Sequence, residues 1–67
     1  MDESLEDLEA LLIDASTKLN QSAYLVRKLK FDEEKNIKRI GLALGKIFDI
    51  QDEIYSVRPE LKPDFLK

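Results

Sequence analysis

The stretch Leu29-Lys30-Phe31-Asp32-Glu33-Glu34, "LKFDEE", decides how this 67-residue chain folds. On its N-terminal side a helical apolar spacing closes with Arg27, Lys28 and Lys30, basic residues that a helix C-terminus favours. On its C-terminal side Asp32 stands where an N-cap belongs, Glu33 and Glu34 fill a first turn, and Phe31 is placed to fold back as a hydrophobic staple. A stop and a restart this close together predict two helices joined by a tight turn, and hence an antiparallel hairpin.

Working outward, Leu5, Leu12, Leu19 and Val26 occupy one heptad position upstream, and Leu8, Ala15, Ser22 and Leu29 occupy a second. The alternation of three and four is helical rather than strand-like. Ser4 followed by Asp7 has the form of a capping box at its start. Downstream, Ile37 and Leu44 share one core line, and Ile40, Ile47 and Ile54 share the other. Ala43, Ile50 and Val57 widen that stripe on one side, and Gly41, Phe48 and Tyr55 widen it on the other. The second helix is therefore expected to touch more than one neighbour. Pro59 restricts Arg58 and ends the pattern. The reading is an all-α protein with helices over residues 4–30 and 33–57. They form a hairpin domain, 1–58, followed by a Pro-containing tail, 59–67, that is irregular or holds one short turn.

Composition narrows what such a hairpin can do. At 43% hydrophobic and 37% charged residues, the chain suits solvated helices with one apolar stripe. Without cysteine it has neither a disulfide framework nor a thiolate zinc site, and without histidine it lacks the commonest general base and metal ligand. No enzyme activity, metal or cofactor is expected. The N-terminus is acidic where a targeting peptide would be basic, and no apolar run approaches the roughly 20 residues that span a bilayer. A cytoplasmic protein without membrane contact is the expectation.

A lone hairpin has a single seam, and a seam of this length rarely offsets a conformational entropy of about 1–2 kcal/mol per residue. Dimerisation into a four-helix bundle is the expected remedy, with Leu12, Ala15, Leu19, Ser22, Gly41, Leu44, Ile47 and Phe48 as self-association candidates. Charge order agrees. Residues 1–14 contain six acids and no base, and Asp49, Asp52 and Glu53 add to the same open end. At the turn end Arg27, Lys28, Lys30, Lys35, Lys38 and Arg39 outnumber Asp32, Glu33 and Glu34. An antiparallel homodimer lays one end of each hairpin against the opposite end of the other.

"GLALGK", residues 41–46, holds both glycines of the chain. It is no phosphate loop: three residues rather than four separate the glycines, and Ile47 replaces the Ser or Thr after the lysine. Arg39 and Lys46 also exclude a membrane-helix contact. Close approach of another helix at Gly41 is the expected reason for that glycine. The acids Asp49, Asp52 and Glu53, with Glu3, Glu6 and Asp7, are read as solvated charge rather than a divalent site.

For contact with other molecules the candidates are Ile13, Tyr24, Arg27, Lys28, Phe31, Lys35 and Arg39, with Phe65 and Leu66 in the tail either covering the bundle end or docking elsewhere. The expected function is that of a small regulatory or adaptor protein acting through protein binding and self-association. The competing reading is an RNA- or DNA-binding regulator whose paired turn ends grip phosphates, a reading that the acids at 32–34 and the net charge of −3 oppose.

Overall fold

The computed structural model describes residues 4–63. Two α-helices, α1 (Leu5–Leu29) and α2 (Glu33–Val57), are each 25 residues long and pack as a hairpin, followed by a 3₁₀ turn at Pro59–Leu61. At 1.5 Å per residue each helix runs about 38 Å.

The helix ends follow from local chemistry. Ser4 is the N-cap of α1: its hydroxyl accepts from the Asp7 amide at 3.3 Å, and its own amide donates to Asp7 Oδ2 at 3.1 Å. Both bonds satisfy amides that the first turn would otherwise leave open. At the other end Lys30 adopts a left-handed conformation, φ 53°, ψ 41°, and the amides of Lys30 and Phe31 donate to the carbonyls of Arg27 and Val26. This is a Schellman closure with lysine in the place that glycine usually takes.

Asp32 is the N-cap of α2 but does not cap with its side chain. It too is left-handed, φ 42°, ψ 54°, whereas a carboxylate reaches the first-turn amides from extended backbone. Its carboxylate faces Lys35 at 3.7 Å instead, and Asn36 Nδ2 donates to the Phe31 carbonyl at 3.0 Å. Phe31 is 68% exposed rather than folded back as a staple. Arg58 closes α2 ahead of Pro59, as the proline requires.

The seam differs from the heptad expectation on one helix. On α2 the anticipated lines face α1: Ile37, Ile40, Leu44 and Ile47 are partly buried and Ile54 is buried, joined by Gln51. On α1 the line Leu5, Leu12, Leu19, Val26 also faces inward, but its companion is Glu9, Ser16 and Ala23. Leu8 and Leu29, assigned to the core by spacing, stand exposed, Leu29 at 70%. The short Lys30-Phe31-Asp32 link, with two left-handed residues, sets the rotation of α1 and leaves that leucine line on its flank.

Neither glycine admits the other helix. A Cβ built at Gly41 or Gly45 meets nothing within 4 Å, so within the hairpin no backbone approaches either one. The expectation for Phe65 and Leu66 lies outside the described residues.

The left-handed lysine yields a test. An L-residue there costs about 1–2 kcal/mol, part of which glycine gives back through its freer unfolded chain. Lys30→Gly should therefore raise stability by about 0.5–1 kcal/mol, read by urea denaturation at fixed protein concentration.

Candidate binding surfaces

Three surfaces arise from the way the seam is filled. Near the open end a polar clamp joins the helices. Glu9 is 5% exposed and Gln51 8%, and Gln51 Nε2 donates to Glu9 Oε1 at 2.7 Å. Glu9 Oε2 is buried with no group at hydrogen-bonding geometry. The Tyr55 phenol stands beside the same carboxylate: burial first, then Glu9, then the charge of Asp52, push it from 10.0 up to about 12. A second tie lies outside the clamp, where Arg58 Nη2 donates to Glu6 Oε1 at 3.1 Å while its Nε donates to Glu60. The two carboxylates, Glu60 first, hold the guanidinium above its usual range.

On one flank of the clamp a groove of about 410 Å³ runs between Ile13, Ser16 and Asn20 of α1, Phe48 and Tyr55 of α2, and Pro63. Its floor includes the Ser16 hydroxyl, which is buried without a partner. On the opposite flank a groove of about 440 Å³ lies between Leu5 and Leu8 of α1 and Ile50, Ile54 and Val57 of α2. This second groove is aliphatic except at its rim, where Glu53 and Ser56 stand.

At the turn end Asp32, Glu34, Lys35 and Lys38 border a shallow hollow of about 320 Å³. Three of the basic side chains toward the turn are engaged locally. Lys35 pairs with Asp32, Arg39 donates to Asn36 Oδ1 at 3.1 Å, and Lys28 lies 5.8 Å above the Tyr24 ring. Exposed pairs of this kind contribute up to about 1 kcal/mol each.

The predicted residues fall into distinct places. Of the self-association set, Leu12, Ala15, Leu19, Ser22, Leu44 and Ile47 are partly buried at or beside the hairpin's own seam, whereas Gly41 and Phe48 are exposed on the aromatic flank. Ile13, Tyr24, Arg27, Lys28, Phe31, Lys35 and Arg39 are all exposed but form no single patch. Ile13 belongs to the aromatic groove, and the others gather toward the turn. Sequence reading missed Glu9, Ser16, Gln51 and Arg58. Gln51 carried a signal, since it follows Ile37 and Leu44 at the next heptad step; Glu9 was hidden among the N-terminal acids.

Among the described residues no cluster of acids could hold a metal ion, and no helix is long and apolar enough to cross a membrane. Comparisons with protein families, with curated proteins and with solved structures give no match.

The clamp generates two predictions. Gln51→Leu leaves the Glu9 carboxylate buried without its donor and should cost about 1–3 kcal/mol, while adding Glu9→Leu should restore most of the loss; a urea-denaturation double-mutant cycle measures both. Because the Tyr55 phenol holds its proton more tightly in the folded chain than in the unfolded one, its share of stability is complete below pH 10. That share is lost as pH rises from about 10 toward 12. Tyr55→Phe should flatten that alkaline decline in melts recorded across this range.

Proposed function

We propose that this chain acts by binding, as a small regulatory or adaptor protein that pairs with itself as a four-helix bundle and offers its remaining surface to another protein. One observation carries the reading: Ile54 is the single buried apolar residue among those described, while Leu11, Tyr24, Leu29, Leu42, Phe48 and Val57 are among the large side chains left exposed. Hairpins with unpaired flanks on both sides can use one for self-association and keep the other for a partner.

The nucleic-acid reading has one observation in its favour, the exposed Tyr24 ring beside Lys28 near the turn, which combines stacking surface with charge. The acids Asp32 and Glu34 beside Lys35 and Lys38 oppose it.

Sedimentation equilibrium at micromolar concentration should give twice the mass of the chain, with a melting temperature that rises with protein concentration. A folded monomer overturns the self-association. Salt-insensitive capture of one cellular protein supports the adaptor role. A salt-dependent shift with RNA or DNA, lost on neutralising Arg27, Lys28, Lys35 and Arg39, overturns it in favour of nucleic-acid binding.

A further inference from the structure

The two flanks of the hairpin are not equivalent: one groove is aliphatic and the other has a buried, unpartnered hydroxyl in its floor. On the aliphatic flank α1 presents Leu8 and Leu11 near the open end, Leu25 and Leu29 near the turn, and the small residues Ala15 and Ser22 between them. Leu8 and Leu29 are three heptads apart on one line, roughly 31 Å along the helix. At the open end Leu8 forms a wall of the aliphatic groove with Leu5, Ile50, Ile54 and Val57. At the turn end Leu29 protrudes, 70% exposed. One end has a hollow and the other has a projection of matching chemistry.

From this we infer, resting on the self-association proposed above, that the occupant of the aliphatic groove is Leu29 of a second copy. The two α1 helices then lie antiparallel about a two-fold axis near Lys18 and Leu19. That register sets Leu8 opposite Leu29 of the second copy, Ala15 opposite Ser22, and Asp7 opposite Lys30, each pair occurring twice. Small residues at the centre let the helix axes approach toward the lower end of the usual 8–10 Å. The Ser22 hydroxyl already donates to the Leu19 carbonyl at 2.6 Å, so covering it leaves no unmet donor. Charge selects the direction. In a parallel pair Asp7 meets Asp7 and Lys30 meets Lys30; in the antiparallel pair Asp7 meets Lys30 twice, while Lys18 lies beside its own counterpart in either direction.

The aromatic flank differs in chemistry. Phe48 and Tyr55 face Ile13, Ser16 and Asn20 around a groove with a buried, unpartnered hydroxyl, which an aliphatic side chain entering it would leave unmet. It stays open in the dimer.

The chain has no cysteine, so single-cysteine variants report the register directly. Full-length Ala15→Cys and Ser22→Cys chains, each shown helical by circular dichroism, are equilibrated in oxidised and reduced glutathione, alone and mixed. Their masses are measured in parallel under reducing conditions. The expected result is a dimer in every sample and a disulfide that forms in the mixture at least tenfold faster than in either variant alone, because each residue lies about 10 Å along the axis from its own counterpart. Rapid linking of Ala15→Cys to itself means a parallel pair and overturns the register. A dimer by mass that links in none of the three samples overturns the choice of flank and leaves self-association standing. A monomer by mass overturns both.

Discussion

Two helices share one seam, and in this chain that seam is narrow and partly polar. The hydrogen bond from Gln51 to the buried Glu9 carboxylate fixes where the helices meet near the open end, and the left-handed pair Lys30 and Asp32 fixes how they meet at the turn. Leu8 and Leu29 stay on the flank, Glu9, Ser16 and Ala23 take the inner line, and the grooves on both sides exist because of that choice.

A buried hydrogen bond between a carboxylate and an amide contributes less to stability than well-packed leucines would, since both groups must first lose water. What it supplies is selection. A hairpin held only by aliphatic side chains could rotate by one helical position at small cost; one that must keep Glu9 against Gln51 could not. The Arg58 contacts with Glu6 and Glu60 act in the same region and neutralise part of the acidic open end, drawing α1, α2 and the 3₁₀ turn together. The exposed apolar surface of the hairpin accordingly lies on two flanks, each with its own groove.

Much of this was legible from particular residues. The capping box at Ser4 and Asp7, the basic end of α1, the acids after Asp32 and the break at Pro59 are local signals, and local chemistry places all four. The inner line of α2 was legible too, because its isoleucines leave one plausible face. The inner face of α1 was not. Leucines lie at Leu5, Leu8, Leu11 and Leu12, so periodicity alone fits more than one rotation. A buried glutamate within an acidic run is a poor guess until its partner is known. Phe31 misled in the same way: its position suits a staple, but the left-handed residues on either side carry it outward.

By itself, then, the amino-acid order determined the number of helices, their ends, their antiparallel connection and the opposite charges of the two ends of the hairpin, because those depend on neighbours within a few residues or on counting. Only the tertiary structure decided which side of α1 faces α2, that Glu9 and Gln51 bond across the seam, and that the flanks become one aliphatic and one aromatic groove. Those features depend on the relative rotation of two helices, a quantity set by the geometry of the turn and by contacts between residues some forty positions apart.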